Sequence, residues 1–134
     1  MKQFESLEAC LQWLEQLHPV EIELGLARIG QVAQNLGVLL NPTSRYVSFA
    51  GTNGKGSGVA MTEAALLQLG KTVGCYTSPH IFVFNERVRI NNLASDADLL
   101  AALETVERAR AGISLTYFEY TTCLLYTSPS PRDA

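Results

Sequence analysis

Apolar side chains near the start of the chain recur at steps of three and four, the spacing of one face of an α-helix. This pattern covers residues 4–17 and stops at His18-Pro19, because proline cannot continue a helix. A second helical pattern covers residues 24–36, with Gly37 in position to cap its end. The predicted inward faces are Phe4, Leu7, Leu11, Leu14 and Leu17 for the first helix, and Leu26, Ile29, Val32, Ala33 and Leu36 for the second.

The pattern then changes, because residues 45–50 are almost continuously apolar, as in a buried parallel strand. A helical pattern over residues 57–69, ended by Gly70, and a second apolar run at residues 72–76 follow. A strand, a helix and a strand in this order predict a right-handed crossover in a parallel sheet. The predicted fold class is therefore α/β, with a parallel sheet flanked by helices.

The later part of the chain is predicted to begin with a loop and then become helical. Residues 81–89 lack a regular pattern, and we expect their charged segment 85–87 to be mobile until a ligand binds. A short strand and turn are predicted at residues 88–92. Ser95 and Thr116 each precede an acidic residue by three positions, which is the spacing of a helix cap. The first of these helices should run to about Arg110, with Leu99, Leu100, Leu103 and Val106 facing inward.

A glycine-rich segment, residues 51–57, lies between the first predicted strand and the helix that follows it. Its glycines allow a tight backbone whose N–H groups can surround phosphate oxygens, and the start of the helix adds unpaired N–H donors. Lys55 supplies a positive charge. The spacing departs from the usual phosphate loop, because Phe49 replaces the first glycine and Gly56 separates Lys55 from Ser57. A plain turn with a solvated lysine remains the alternative to nucleoside triphosphate binding.

A second loop, residues 77–80, follows the second predicted strand. Ligands of parallel sheets bind beyond the carboxyl ends of the strands, so both loops are expected to contribute to one site. The net charge of −3 argues against a nucleic-acid partner, and no apolar stretch is long enough to span a membrane. Three scattered cysteines match neither a zinc site nor a disulfide framework, and no signal-peptide pattern is present. We expect a cytoplasmic monomer.

Four stretches of the chain together resemble the folylpolyglutamate synthase/dihydrofolate synthase family of the Mur-ligase-like superfamily. They are residues 22–29, residues 50–57, residues 76–80 with 86–90, and residues 113–119. The extra glycine at position 56 is typical of this family and accounts for the unusual phosphate-loop spacing. The resemblance covers residues 4–122, which we expect to form the N-terminal part of an incomplete ATP-binding domain.

The resemblance implies an ATP-dependent ligase that joins L-glutamate to dihydropteroate or to a reduced folate through an acyl phosphate. ATP and Mg²⁺ are the implied cofactors, with Lys55 as the catalytic residue and Ser78 as the metal contact. The implied nucleotide-binding residues are Thr52, Asn53, Gly54, Lys55, Gly56 and Ser57. The implied substrate-binding residues are Thr116, Tyr117, Phe118, Glu119, His80 and Arg87.

Simpler interpretations of the same residues remain open. Ser78 before Pro79 suits a plain turn, Arg28 suits a solvated charge, and residues 116–119 suit an ordinary helix start. Arg87 and Arg89 also suit a solvated face, although one of them, preferably Arg87, is a candidate for an anionic substrate. A cell-wall (UDP-MurNAc) amino-acid ligase of the same superfamily and a non-catalytic nucleotide-binding fragment are the competing functions.

Residues 123–134 contain two prolines and resemble translated sequencing-adaptor DNA, so we exclude them from the predicted fold. Members of the family are longer, two-domain chains. We therefore expect this chain alone to lack ligase activity.

Overall fold

The computed structural model describes residues 3–17, 25–37 and 45–127. These residues fall into two compact units, one built from residues before 42 and after 94, and the other from residues between 45 and 94. We call them the helical unit and the loop-and-sheet unit. The elements in chain order are α1 (Leu7–Leu17), α2 (Ala27–Asn35), α3 (Lys55–Gln68), β1 (Gly74–Tyr76), a 3-10 turn (Phe84–Arg87), β2 (Val88–Ile90), β3 (Asn92–Leu93), α4 (Asp96–Arg110), α5 (Tyr117–Thr122) and α6 (Leu124–Thr127).

The helical unit is organised around α4, which packs against α1, α2, α5 and α6. The predicted inward faces are confirmed in part, because six of their positions are buried and most of the others are half-buried. Leu26 is exposed, because it precedes the first residue of α2. The buried members of the predicted faces are Leu7, Leu14, Val32, Leu99, Leu103 and Val106.

The predicted helix ends of this unit are confirmed in their hydrogen bonds. The Ser95 hydroxyl accepts from the Asp98 N–H at 3.1 Å, and the Thr116 hydroxyl accepts from the Glu119 N–H at 3.1 Å. Gly37 follows α2 with a φ of 71°, a conformation that glycine adopts at little cost. The predicted stop at His18-Pro19 and the start of the second helix at residue 24 lie outside the described residues.

The segment from Cys123 onward was expected to contribute nothing to the fold, and the structure differs at residues 123–127. Cys123 and Leu124 are buried, and α6 packs on α4. The reason is local, because these apolar side chains continue the buried side of α5 for one more turn. Residues 128–134 lie outside the described part of the chain.

The loop-and-sheet unit contains an antiparallel sheet in the order β1-β2-β3, in which Arg89 of β2 lies opposite Cys75 of β1 and Leu93 of β3. The prediction of a parallel sheet is therefore wrong for the described residues. Residues 45–50 form no strand there and their side chains are exposed. A parallel strand depends on partners at both edges and cover on both faces, and residues 51–94 place no partner strand against this run.

Helix α3 begins at Lys55, two residues before the predicted start, because Gly54 turns the chain with a φ of 75°. The apolar side of α3 is not buried within the described unit. Leu69 is 72% exposed, and the only buried residue of this helix is Glu63. Gly70 ends the helix as predicted, with a φ of 71°. None of the helices in the described residues is both long and apolar enough to cross a membrane.

Candidate nucleotide and substrate sites

The glycine-rich segment forms an exposed turn that leads directly into α3. All residues from Gly51 to Ser57 are exposed, and the first helical hydrogen bond runs from the Gly58 N–H to the Gly54 carbonyl at 3.0 Å. The preceding N–H groups of the first turn have no partner within the helix, which is the arrangement that binds phosphate. The Lys55 ammonium donates to the Gly51 carbonyl at 2.5 Å, so its charge lies over the turn.

Gly58, in the first turn of α3, is a structural glycine that the spacing of the glycine-rich segment does not indicate. A Cβ atom at this position would lie 2.8 Å from the Phe49 ring, closer than real side chains approach. The absence of a side chain at Gly58 therefore lets Phe49 lie against the first turn of α3. The departure from the usual motif at Phe49, which stands in place of glycine, thus has a structural role that spacing alone does not reveal.

Ser78 and the phosphate loop line the same cleft, which has a volume of about 490 Å³. Gly56 and Val59 of α3 belong to its lining, as do Thr77 and Ser78 of the second loop and Ile81 just after it. The Ser78 side chain is exposed and its peptide bond to Pro79 is cis. The expected proximity of the two loops therefore holds at Gly56 and Ser78, although the sheet is antiparallel.

Glu86 lines the same cleft and fixes the loop that follows Ser78. Its carboxylate accepts from the N–H groups of Val83 at 2.7 Å, Phe82 at 2.6 Å and Ile81 at 3.1 Å. These hydrogen bonds hold the pKa of the Glu86 carboxyl below its usual value, with the Val83 N–H as the largest cause. Residues 85–87 were expected in a loop and instead belong to a 3-10 turn that Glu86 caps, while their expected mobility stays a prediction.

His80 and Arg87, both predicted substrate contacts, bind each other. The Arg87 Nε donates to the His80 Nδ1 at 2.9 Å, and the Arg87 guanidinium lies 5.4 Å from the centre of the Phe84 ring. The imidazole also packs edge-on against Phe84, with ring centres 5.9 Å apart. Neither His80 nor Arg87 belongs to the lining of the cleft, so their substrate role stays a prediction.

Arg89 does line the cleft, and it contacts a buried acid. Its guanidinium forms an ion pair with Glu63 of α3, whose side chain is only 7% exposed. Glu63 also accepts a hydrogen bond from the Cys75 thiol. The pKa of this thiol is raised to about 12, mainly because the thiol is buried and also because of this hydrogen bond. Neither Glu63 nor its pairing with Arg89 was predicted, because a single glutamate inside an apolar helical pattern carries no spacing signal.

The other predicted substrate residues, 116–119, lie in the helical unit. Thr116 is buried and its hydroxyl caps α5, so its side chain has a structural role. Tyr117 is half-buried, while Phe118 is 54% exposed and presents a flat aromatic surface. Glu119 is buried, and its Oε2 atom has no hydrogen-bond partner among the described residues. An exposed ring beside a buried acceptor is suited to a flat heterocycle with N–H groups.

Arg28 positions the other carboxylate oxygen of Glu119. The Arg28 Nη2 donates to the Glu119 Oε1 at 2.6 Å, and the Arg28 Nε donates to the Ser114 carbonyl at 3.0 Å. The interpretation of Arg28 as a solvated charge is therefore wrong. The two residues are 91 positions apart in sequence, so no local pattern indicates their contact.

The donors available for a cation are few in the described residues. No cluster of three or more His, Cys, Asp or Glu side chains that could hold a metal ion occurs within residues 3–17, 25–37 and 45–127. The exposed Ser78 hydroxyl is a hard oxygen donor beside the phosphate loop. Mg²⁺ keeps several waters and takes further oxygens from phosphates, so a single protein hydroxyl at this place fits its chemistry.

Comparisons with known proteins connect both units to one enzyme family. No protein-family model matches the chain. The chain is 44% identical to the dihydrofolate synthase/folylpolyglutamate synthase of Escherichia coli over 117 residues, which are 87% of this chain and 28% of that protein. The chain therefore spans less than a third of the length of the curated relative that it matches.

Solved structures give the same result for the fold. The structure of E. coli FolC in complex with DHPP and ADP matches with a TM-score of 0.88 and 41% identity, covering 95% of this chain and 31% of that one. A bifunctional folylpolyglutamate synthase/dihydrofolate synthase with Mn, AMPPNP and L-glutamate bound matches with a TM-score of 0.86 and 41% identity, covering 96% and 32%. These matches confirm the predicted Mur-ligase-like fold. Within that fold, the predicted parallel pairing of the sheet was wrong for the described residues.

Proposed function

Because the chain belongs to the folylpolyglutamate synthase/dihydrofolate synthase family, of whose members it spans the N-terminal part, we propose that it carries the phosphate-binding half of an ATP-dependent ligase site. The complete enzyme would add L-glutamate to dihydropteroate, to a reduced folate, or to both. The observation that carries this proposal is the shared cleft of Gly56 and Ser78, which brings a phosphate loop and a hard oxygen donor together.

The nucleotide would bind through the exposed turn at the start of α3. Main-chain N–H groups of Lys55, Gly56 and Ser57 would donate to phosphate oxygens, and the Lys55 ammonium would neutralise charge on the terminal phosphates. Thr52, Asn53 and Gly54 would shape the turn. Since phosphoryl transfer depends on positioning and charge neutralisation, these contacts supply the kind of assistance that the reaction needs.

A divalent cation would be held at the Ser78 hydroxyl, with waters and phosphate oxygens as its other ligands. When bound, Mg²⁺ supplies charge neutralisation between phosphate groups. The relative with bound Mn, AMPPNP and L-glutamate supports both cofactors. Glu86 is not a second ligand in this proposal, because its carboxylate is already occupied by three backbone N–H groups.

The pterin-like part of the acceptor would bind at residues 116–119. Phe118 offers an exposed face for stacking, and the Glu119 Oε2 offers an acceptor for ring N–H groups. The relative in complex with DHPP and ADP supports a folate-like acceptor. Dihydropteroate and reduced folates both carry a pterin ring system, so these contacts suit either acceptor.

This chain alone is proposed to be inactive, because it spans about 30% of the length of its relatives. A cytoplasmic location and a monomeric state are part of the same proposal. The location is supported by the three cysteines, which are buried and form no disulfide with one another.

The experiment that tests the function is a chimera. The corresponding segment of the E. coli relative is replaced by residues 3–122 of this chain, and incorporation of labelled L-glutamate into dihydropteroate and into reduced folate is measured. We expect turnover in the chimera, a loss of at least about 100-fold on Lys55→Ala, and little change on Lys71→Ala, an exposed lysine just after α3. A folded chimera without turnover, or one indifferent to Lys55→Ala, contradicts the proposal.

A further inference from the structure

Two arginines, Arg87 and Arg89, lie on consecutive elements of the loop-and-sheet unit, but only one of them reaches the cleft. Arg87 is occupied by His80 and by the Phe84 ring, and it does not belong to the cleft lining. Arg89 lies in the middle of β2 and lines the cleft together with Gly56 and Ser78. The cation that a ligand in this cleft would meet is therefore Arg89.

A buried acid fixes the position of Arg89. Its Nη2 atom donates to the Oε2 atom of Glu63, whose side chain is 7% exposed, whereas 39% of the Arg89 side chain remains exposed. A guanidinium has five N–H donors, and this ion pair uses one of its terminal nitrogens. The group is thus held at one end and can still present a planar edge to a second oxyanion, an arrangement that a lysine cannot offer.

The rest of the lining indicates what kind of ligand that oxyanion belongs to. Most of the wall around Arg89 is apolar, and it is formed by Val59, Ala60, Pro79, Ile81 and Leu93. Phosphates already have N–H donors and Lys55 at the turn before α3, and those residues are exposed to water. Glu86 also lines the cleft, but its carboxylate already accepts from three main-chain N–H groups. An apolar wall with one fixed guanidinium as the only cation among the described lining residues is instead suited to an organic acid, whose body packs on the wall and whose carboxylate meets the cation.

We propose that Arg89 binds the carboxylate of the acceptor substrate and that Glu63 is the positioning residue that holds it. This inference rests on the proposed function, because it assigns a contact with the acceptor carboxylate to the cleft that Gly56 and Ser78 line. It also assigns different tasks to neighbouring groups, with Lys55 and the loop amides binding phosphate and Arg89 selecting an acid. Bidentate contact between a guanidinium and a carboxylate fixes orientation as well as charge. The reacting group would therefore be held beside Gly56 and Ser78.

The test compares two ligands and two variants of this chain. The ligands are pteroate and its carboxamide, which have nearly the same shape and differ in charge, and both are titrated by calorimetry alongside Mg-ATP. Single removal of Arg89 would leave Glu63 buried without a partner, so the main variant is the double substitution Glu63→Met/Arg89→Met. Circular dichroism confirms that this variant is folded, and Glu63→Gln alone tests the positioning role.

We expect wild-type protein to prefer the acid over the carboxamide by about tenfold, the size of one charge-assisted contact. The double variant should lose this preference and keep its Mg-ATP affinity. Glu63→Gln should reduce the preference several-fold, a change that a purely structural role would not produce in a folded protein. A wild type without the preference, a double variant that retains it, or a loss confined to Mg-ATP affinity overturns the inference. Because Mg-ATP binding is measured separately, failure of the phosphate site is distinguishable from failure of this proposal.

Discussion

Replacing Arg28 by alanine should destabilise the helical unit, because it leaves the buried Glu119 without its ion-pair partner. The Arg28 side chain is 26% exposed and the Glu119 side chain is 8% exposed. Water can therefore solvate the guanidinium when the pair is broken, but it has little access to the carboxylate. Removing one member of a buried ion pair lowers the free energy of unfolding by about 3–5 kcal/mol. Because Arg28 is partly exposed, we expect a loss at the lower end of this range, about 3 kcal/mol. Loss of the Arg28 hydrogen bond to the Ser114 carbonyl acts in the same direction.

The assay is urea unfolding followed by circular dichroism, with the free energy of unfolding compared at unchanged slope. Arg28→Ala/Glu119→Gln is the first control, and it should recover about half of the loss because no unpaired charge remains. Arg108→Ala is the second control. Arg108 is exposed, and in the described part of the chain its side chain donates only to the Thr105 hydroxyl of the same helix. Its replacement should lower the free energy of unfolding by less than about 0.5 kcal/mol. An Arg28→Ala protein as stable as the Arg108→Ala control would refute the reasoning.

Three further predictions concern single groups. The Val83 N–H and its neighbours lower the pKa of the Glu86 carboxyl, so these hydrogen bonds stabilise the loop above the usual glutamate pKa of about 4.3 and are lost as pH falls through the lower folded value. The Val83 amide resonance should therefore shift with a midpoint below that usual value, and a midpoint above it would contradict this prediction. Burial raises the pKa of Cys75 to about 12, so iodoacetamide at pH 8 should label it only after unfolding, and native labelling at the unfolded rate would exclude the buried thiol. Tyr120→Phe removes the hydroxyl whose single proton is shared between the Leu103 carbonyl at 3.2 Å and the Glu107 carboxylate at 2.9 Å, so thermal unfolding should show a loss of about 1–2 kcal/mol rather than none.

The sequence was most informative where structure is decided locally. The caps at Ser95 and Thr116 and the glycine at the end of α2 depend on neighbours within four residues, and all three are found. The strand predicted at residues 45–50 depends on partners elsewhere in the chain, and it is absent from the described residues. An apolar run alone does not indicate which strand it pairs with or in which direction. The sheet was therefore predicted as parallel, although the described strands pair antiparallel.

The candidate site shows the same division. The phosphate loop was recognisable because its residue types follow one another along the chain. Gly56 and Ser78 do line one cleft, as expected, although the parallel sheet from which their proximity was predicted is absent from the described residues. The two ion pairs, Arg28 with Glu119 and Arg89 with Glu63, join residues 91 and 26 positions apart. Contacts at such separations depend on tertiary packing, which a single sequence does not encode in any spacing.

The central claim is that the turn at Lys55 binds the phosphates of ATP. Calorimetric titration of Mg-ATP into the wild-type chain and into folded Lys55→Ala and Lys71→Ala variants tests it directly. The account predicts that Lys55→Ala weakens binding by about 10- to 100-fold, as expected for a lost charge-assisted contact, while Lys71→Ala binds like wild type. Equal affinity of all three proteins would contradict the account.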